Sequence, residues 1–457
     1  MIAARRFAHF MQVIGTISNT AKYWALRVTI MAALLVSAAS PSVAQTRYIV
    51  RDSLGVLGIN TTCSLLGCNV VRTLDGTVSQ LFLIELPSVL DPTQFLLALV
   101  SSLGVVSVEP EQVTFIPQTT AGSVPSYLTD ETVVNYYGSP VWEGYTIQPA
   151  TQIIHLPQMR ATYGLTGAGV KVAVIDTGID ANHPALQPWV VQGYDFTRNT
   201  DSGDESGDIN QSTAGVLDSS SPTQVNQSNV AVVDQSTAGV LDGGPFSAYG
   251  HGTMVAGIIH LVAPQAQLMP LKAFGPDGTG FASDVLRAIY YAAQHGARVM
   301  NMSFSFSASS PELQRAINYA AQRNVIPVAS AGNDGQQINV YPAAYNNVID
   351  VASTSDEDTQ SSFTNYGAPP VWLPAPGEAI MTTYPGATYA VGWGTSFSAP
   401  FVSGAAALLA GTSSSCNQAR AATALSKGDW ISAPQLGNGR LNTYSAAQAG
   451  CRSSWWW

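Results

Sequence analysis

The fold is decided by residues 297–330, ARVMNMSFSFSASSPELQRAINYAAQRNVIPVAS. This stretch begins and ends with nearly continuous apolar runs, 297–302 and 325–330, which are typical of strands buried on both faces of a parallel sheet. Between them we predict a helix capped by Ser310, with Pro311 at its first position. A strand, a helix and a further strand in this order predict an α/β fold.

The same pattern extends in both directions from this stretch. Apolar runs of the same kind occur at 170–175, 267–273 and 348–352, and residues 285–293 keep one apolar helical face that ends before Gly296. We therefore predict a three-layer sandwich with a mainly parallel central sheet, whose ligands bind at the carboxyl ends of the strands.

The chain before residue 150 has a different pattern. Short strands at 47–50, 81–86 and 105–115 and a helix at 91–103 predict a small α+β unit. The predicted organisation is a signal peptide (1–44), a small α+β domain (45–117), a linker (118–150) and the main domain (151–457).

The first 44 residues indicate export. An apolar run from Val28 to Ala39 follows Arg27, and small residues precede the expected cleavage site before Gln45. The run is too short to span a bilayer comfortably, although a membrane anchor is the alternative interpretation. We expect a secreted protein, in the extracellular space or in the periplasm.

The composition argues against two classes of partner. The chain has 457 residues, of which 46% are hydrophobic and 11% charged, and its formal net charge is -10. Residues 1–44 contain four basic residues and no acidic ones, so their removal leaves 15 basic against 29 acidic, a net charge of -14. A protein with this negative charge is not expected to bind nucleic acid or to associate stably with an anionic membrane.

The four cysteines are an even number in a chain predicted to be exported, which permits two disulfides. Three pairings are possible. The local pairs, Cys63 with Cys68 and Cys416 with Cys451, are favoured if the front of the chain is later removed, and free thiols are the alternative.

One segment interrupts the α/β pattern. The octapeptide QSTAGVLD occurs at 211–218 and again at 235–242, and we interpret 197–247 as a polar surface insertion with a local duplication, since two copies do not make a solenoid. The alternative is an extra metal or substrate lobe built from its acidic residues, which are Asp201, Asp204, Glu205, Asp208, Asp218, Asp234 and Asp242.

Three short segments carry candidate chemistry. Asp176 ends a predicted strand, His251 opens an apolar helix, and Ser396 precedes a helix of small residues. A serine hydroxyl is a poor nucleophile unless a base takes its proton and a carboxylate orients that base. The positive end of a helix dipole disfavours the imidazolium form, which suits a base that must be neutral at rest.

The attack of a serine also requires donors for the oxyanion that forms. The backbone N–H of Ser396, at a helix N-terminus, can serve as one donor. The side chain of Asn333, which follows the strand at 325–330, is the candidate for the second donor.

Four segments together resemble the subtilisin-like serine proteases, the subtilases. They are VIDTGID at 174–180, HGTMVAG at 251–257, SAGN at 330–333 and GTSFSAPFVSGAAALL at 394–409. The chain order Asp, His, Ser is also that of this family. The resemblance implies a serine endopeptidase in which Ser396 is the nucleophile, His251 the general base and then acid, Asp176 its orienter, and Asn333 an oxyanion donor.

The resemblance further implies that a polypeptide substrate lies as an extended strand between two enzyme segments. The matching positions are Gly278, Thr279 and Gly280 on one side and Ser303, Phe304 and Ser305 on the other. It also implies that the front unit is a propeptide that inhibits the enzyme and helps it to fold. We expect a monomer.

The sequence departs from the family pattern at three positions. Phe397 stands where many members have an oxidisable Met directly after the serine, so we predict resistance to peroxide. Ser305 replaces a usual Gly, which leaves the preference at P1 open. Ala185 replaces an Asp that helps to bind calcium in many relatives, so we expect no calcium at that position, with structural calcium elsewhere as the alternative, and no cofactor for the chemistry.

Two other classes of function remain as alternatives. A catalytically silent, subtilase-like binding protein would normally have lost part of the site, and all four positions are intact. An esterase of the α/β-hydrolase type would place its Ser before Asp and His in the chain. A metalloprotease lacks its ligands, since no HExxH segment occurs.

Overall fold

The computed structural model describes residues 47–86, 92–116, 125, 130–208, 231–232, 248–367 and 371–451. The chain divides into two compact units, 1–112 and 113–457. The predicted signal peptide and both copies of the octapeptide lie outside the described residues, as do Asp218, Asp234 and Asp242.

The first unit is a small α+β domain, as predicted. Its elements are β1 (Arg47–Asp52), α1 (Gly55–Leu66), β2 (Asn69–Thr73), β3 (Leu81–Glu85), α2 (Pro92–Ser101) and β4 (Val105–Pro110). The strands form an antiparallel sheet in the order β2-β3-β1-β4. Helix α1 was not expected; it ends at Gly67, whose φ of 77° favours glycine. A disulfide joins Cys63 to Cys68.

The second unit begins with residue 113. Its strands are β5 (Val113–Phe115), β6 (Val133–Tyr136), β7 (Ser139–Trp142), β8 (Lys171–Asp176), β9 (Tyr194–Asp195), β10 (Ala231–Val232), β11 (Gln267–Lys272), β12 (Thr279–Phe281), β13 (Val299–Met302), β14 (Ile326–Ser330), β15 (Ile349–Thr354), β16 (Leu373–Pro376), β17 (Ile380–Tyr384) and β18 (Thr388–Gly392). Its helices are α3 (Glu143–Ile147), α4 (Pro149–Ile153), α5 (Leu156–Tyr163), α6 (His251–Val262), α7 (Ala282–Gln294), α8 (Pro311–Gln322), α9 (Thr395–Thr412), α10 (Gln418–Leu425) and α11 (Thr443–Ala449).

The main sheet confirms the predicted α/β fold. Its seven strands are ordered β16-β15-β14-β13-β8-β11-β9, and every neighbouring pair is parallel. Two helix pairs cover it: α6 packs on α9, and α7 packs on α8. Because all strands run the same way, their carboxyl ends lie at one edge of the sheet, which is where the candidate residues follow β8 and β14.

Local sequence explains how the covering helices begin and why they approach closely. The Ser310 side chain accepts a hydrogen bond from the Leu313 N–H at 3.0 Å and so caps α8 as predicted, with Pro311 in its first turn. Helix α9 is rich in small residues. A Cβ on its Gly404 would lie 2.5 Å from the Cβ of Val262, so only glycine allows α9 to contact α6 at this distance.

The segment 118–150, which the sequence analysis assigns to a linker, contains regular structure in its described part. Residues 133–147 form a hairpin and a short helix, and Tyr145 is fully buried against the core. Its hydroxyl donates to the Gly257 carbonyl at 2.6 Å. These elements are only four or five residues long, which is too short for an apolar period to show.

Most of residues 197–208, the described first part of the 197–247 insertion, are exposed, but two of its carboxylates are not. The side chains of Glu205 and Asp208 are fully buried, although both lie in a polar, Gly- and Ser-rich stretch. Burial of these carboxylates is supported by hydrogen bonds and ion pairs with residues distant in the chain, which a local pattern does not show.

A second disulfide lies in the larger unit and joins Cys416 to Cys451, the other local pair.

Candidate active site

Asp176 lies at the carboxyl end of β8, at the edge of the sheet where a ligand site is expected. Its side chain is 1% exposed. One carboxylate oxygen, Oδ1, accepts a hydrogen bond from the Thr177 N–H at 2.8 Å and lies 2.8 Å from Nδ1 of His251. The structure therefore brings together two of the predicted residues that are 75 positions apart in the chain.

His251 is the first residue of α6, a helix that is buried along its whole length. The close approach of this helix to the turn after β8 depends on glycine. A Cβ on Gly252 would lie 1.9 Å from the Gly178 carbonyl oxygen, and Gly178 itself has a φ of 112°. Since Nδ1 faces the carboxylate of Asp176, a proton on Nδ1 leaves Nε2 as the acceptor of the ring.

Ser396 is the second residue of α9, after Gly394 with a φ of 143°. Its hydroxyl donates to the Ser303 carbonyl at 3.4 Å. Nε2 of His251 has no hydrogen-bond partner among the described residues, so the structure does not form the Ser–His hydrogen bond. The ring of Phe397, the next residue, has its centroid 5.8 Å from that of His251, which places the start of α9 beside the imidazole.

Asn333 is attached to the start of the same helix. Its Oδ1 accepts hydrogen bonds from the Thr395 N–H at 2.9 Å and from the Thr395 hydroxyl at 2.7 Å. These two bonds fix the plane of the amide group, with Nδ2 as its donating end. Thr395 was not predicted as a site residue; its position directly before Ser396 is the local signal that points to it.

The predicted substrate cleft contains a strand of the chain itself. Strand β5 pairs antiparallel with β12, and the Ile116 N–H donates to the Gly278 carbonyl at 3.1 Å. On the other side, Phe115 forms a β-bridge with Ser305. Residues 113–116 therefore lie as an extended strand between the two segments that were predicted to hold a substrate.

The remaining predicted cleft residues act through their backbone or are buried. The Ser303 hydroxyl donates to the Ser396 carbonyl at 3.0 Å, and Phe304 is buried with its ring centroid 5.0 Å from that of Phe274. Next to Ser305 and Asn333 lies a cavity of about 670 Å³. A volume of this size is sufficient for a side chain of a bound peptide.

A buried carboxylate lies behind the Asp–His pair and was missed as a functional residue. Glu205 hydrogen-bonds to Thr177, which follows Asp176, and to Gly250 and Thr253, which flank His251. Burial raises its pKa to about 7, against the lowering by the hydrogen bond from Thr253 and by the charge of Lys272. The sequence signal was absent, since Glu205 is one of several acidic residues in a polar segment.

No group of three or more His, Cys, Asp or Glu side chains in the described part of the chain is arranged to hold a metal ion. Asp201, Asp204, Glu205 and Asp208 are thus not assembled as the metal lobe that was the alternative for the insertion. Over the same described ranges, no helix is long and apolar enough to cross a membrane. Calcium binding and the absence of a cofactor remain predictions.

Comparison with known proteins agrees with this geometry. The model of the subtilase family matches residues 167–432, more than half of the chain, which contain all four candidate catalytic positions. The chain belongs to the subtilase family and is a serine-type endopeptidase, a hydrolase that acts on polypeptides.

Particular relatives show how far the likeness extends. Thermitase from Thermoactinomyces vulgaris is 35% identical over 294 residues, which cover 62% of this chain and 90% of thermitase. Subtilisin Savinase from Lederbergia lenta is 36% identical over 255 residues, or 54% of this chain and 78% of the relative. The solved structure of fervidolysin from Fervidobacterium pennivorans gives a TM-score of 0.66 at 22% identity, over 89% of this chain and 61% of that one, which supports the fold alone.

Proposed function

We propose that the endopeptidase reaction is carried by Ser396, His251, Asp176 and Asn333. The observation that carries the proposal is the buried hydrogen bond between Asp176 and His251, with the start of α9 beside the imidazole. In the structure the Ser396 hydroxyl is directed to Ser303. A rotation about its χ1 bond turns it toward Nε2 when a substrate is bound, since catalytic hydrogen bonds often tighten only in that complex.

The reaction follows from these positions. Nε2 of His251 accepts the hydroxyl proton while the Ser396 oxygen bonds to the peptide carbonyl carbon, and the carbonyl electrons move to its oxygen. The Asn333 amide and the Ser396 N–H stabilise this oxyanion. When the intermediate collapses, the leaving amine takes the proton from His251. A water then attacks the acyl ester, transfers a proton through His251, and releases the acid and the free serine.

Asp176 keeps the imidazole in the required tautomer during these steps. Because its Oδ1 faces Nδ1, the proton of the neutral ring stays on that side and Nε2 remains the base. The carboxylate also stabilises the imidazolium that forms after proton transfer. The pair is 1% exposed at both residues, so water does not screen this interaction strongly.

Ser396→Ala tests the proposal. The variant should lose labelling by a fluorophosphonate and hydrolysis of casein, whereas the matched control Ser398→Ala should keep both. Ser398 lies in the same helix and is fully buried, and its hydroxyl has no hydrogen-bond partner among the described residues. Hydrolysis of casein by Ser396→Ala at the parental rate would contradict the assignment. A matured parent that neither labels nor cleaves casein would favour a catalytically silent binding protein.

We further infer that the chain is made as an exported zymogen whose front part inhibits the enzyme and assists its folding. The support is the strand at 113–116, which fills the cleft between Gly278 and Ser305 and would compete with a polypeptide substrate for the same backbone groups. The mature product is proposed to be a secreted monomer. N-terminal sequencing should give a start near residue 118, and Ser396→Ala should remain uncut.

The chemistry as proposed uses no cofactor. Ala185 supplies no oxygen ligand where many relatives have a calcium-binding carboxylate. Freshly chelated enzyme should therefore keep its initial rate on casein. An immediate loss of that rate, restored by calcium, would contradict this part of the proposal.

A further inference from the structure

Glu205 replaces the missing cap of the helix that carries His251. The residue before this helix is Gly250, which has no side chain and so cannot cap it. Instead, Oε2 of Glu205 accepts from the Gly250 N–H at 3.0 Å, and Oε1 accepts from the Thr253 N–H at 3.1 Å. A carboxylate at this end also interacts favourably with the helix dipole. His251 lies between the two bonded residues, so the cap fixes the backbone that carries the imidazole.

The same carboxylate is bonded to the turn that carries Asp176. The Thr177 hydroxyl donates to Oε2 of Glu205 at 2.9 Å and accepts from the Gly252 N–H at 3.0 Å. The Thr253 hydroxyl donates to Oε1 and accepts from the Asp180 N–H at 2.7 Å. Each hydroxyl therefore connects the turn after β8 directly with the first turn of α6, and Glu205 holds both hydroxyls in place by accepting their protons in hydrogen bonds.

All four hydrogen bonds to Glu205 are donated to it. Two come from backbone N–H groups and two from hydroxyls that already accept another hydrogen bond. An ionised carboxylate satisfies four donors, whereas a protonated one places its own O–H against one of them. The arrangement thus fits the ionised form of the side chain, which is fully buried.

The charges around Glu205 come from several elements. Lys272 on β11 is fully buried and donates to the Thr177 carbonyl at 2.6 Å and to Asp208 at 2.7 Å. The other titratable and charged groups that face this region are Asp208 and Arg198 of the same segment, Asp176 and Asp180 at β8, Tyr249 and His251 at α6, and Tyr384 on β17. The charge of Lys272 lowers the pKa of Glu205 against the raising by burial, and Lys272 also forms an ion pair with Asp208.

We propose that Glu205 is a positioning residue for the proposed catalytic pair: its ionised carboxylate holds the Asp176 turn against the first turn of the His251 helix. The inference rests on the proposed function, since it concerns the geometry of that same pair. Loss of the charge shifts the two backbones relative to each other and weakens proton transfer, without touching the cleft that binds the substrate. The acid limb of the activity profile therefore contains the protonation of Glu205.

Glu205→Gln tests this inference in the mature enzyme produced from the full-length chain. Gln has nearly the same shape as Glu but no charge. Its NH2 group cannot accept the hydrogen bonds that two of the four donors make to the Glu205 carboxylate. We expect kcat on an internally quenched casein-derived peptide to fall about 10- to 100-fold, with KM within about twofold. The acid limb of log kcat against pH should be steeper in the parent than in Glu205→Gln, because the variant lacks the protonation of this carboxyl group.

Asp350→Asn is the matched control. Asp350 is likewise a buried carboxyl group whose pKa burial raises to about 7, but it lies on β15 at the end away from the carboxyl edge. The Asp350→Asn enzyme should have the same kcat as the parent and the same acid limb in its plot of log kcat against pH. A Glu205→Gln enzyme with kcat within threefold of the parent and an unchanged limb would overturn the inference.

Two further variants keep the outcomes distinct. Activity in Ser396→Ala would overturn the proposed function itself, whereas an inactive Ser396→Ala beside a fully active Glu205→Gln overturns only the role of Glu205. If Glu205→Gln does not accumulate, Thr177→Val keeps the carboxylate and removes one of its hydroxyl partners. That variant must then lose kcat with unchanged KM; wild-type kcat in Thr177→Val would refute the positioning role.

Discussion

Asp350 allows the electrostatics of the main sheet to be tested away from the proposed catalytic residues. It is the second residue of β15, is 1% exposed, and its Oδ1 has no hydrogen-bond partner among the described residues. Burial raises its pKa to about 7 from an ordinary value of 3.8, against the hydrogen bond of the Val351 N–H, which lowers it. The folded chain therefore holds this proton more tightly than the unfolded chain does.

The sign of the pH dependence follows from this shift. The stabilising contribution of the protonated group is complete below pH 3.8 and is lost as the pH rises through about 7. The difference between the two pKa values corresponds to about 4 kcal/mol at pH 8. Asp350→Asn removes the charge in nearly the same shape. Its gain in free energy of unfolding should be larger at pH 8 than at pH 4 by up to about 4 kcal/mol.

The assay is urea unfolding followed by tryptophan fluorescence, in a Ser396→Ala background that prevents self-digestion. The parent and Asp350→Asn are compared at pH 4, 6 and 8, with refolding checked at each pH. The expected result is a difference between the two proteins that grows with pH and levels off above about pH 7. A difference of the same size at all three values would show that Asp350 does not titrate in this way, and the reasoning would be refuted.

Three other predictions concern the site. Asn333→Ala should lower kcat about 10² to 10³-fold, the known scale for loss of one oxyanion donor in subtilisin, and a loss under tenfold in steady-state kinetics would contradict its role. Thr395→Val removes the hydroxyl bonded to Asn333 Oδ1 and should lower kcat about fivefold with KM unchanged, as one hydrogen bond is worth about 1 kcal/mol; an unchanged kcat would show that this hydrogen bond does not position Asn333. The parent should keep its activity in peroxide, whereas Phe397→Met should lose activity by oxidation of the new Met. Rapid inactivation of the parent by peroxide, without oxidation of any of its Met residues, would refute this prediction.

The strands of the main sheet could be predicted because they are buried on both faces. β8, β13 and β14 each begin or end within one or two residues of the predicted runs at 170–175, 297–302 and 325–330. A fully apolar run carries this information locally. The start of α8 was equally predictable, since its cap and its proline are adjacent in sequence.

Features that depend on contacts between distant segments could not be predicted in this way. Helix α1 has small and polar residues on its buried side, Gly58 and Thr62 among them, so its apolar face is weak. Strand β5 was merged with β4 in the predicted run 105–115, because only pairing with β12 separates the two. Its position in the cleft is a tertiary property.

The candidate site also contains residues that a local sequence pattern indicates and residues that depend on contacts with distant segments. Asp176, His251 and Ser396 could be proposed as site residues because each lies at the end of a recognisable strand or the start of a recognisable helix, whereas the direction of the Ser396 hydroxyl depends on one rotamer and on Ser303. Glu205 is the clearest case of the second kind. Nothing near it in sequence distinguishes it from Asp204, which is partly exposed, yet burial against residues 28 and 48 positions away makes it an acceptor of four hydrogen bonds. The contribution that we propose for Glu205 therefore has no local signal in the sequence, and the kinetics of Glu205→Gln are its direct test.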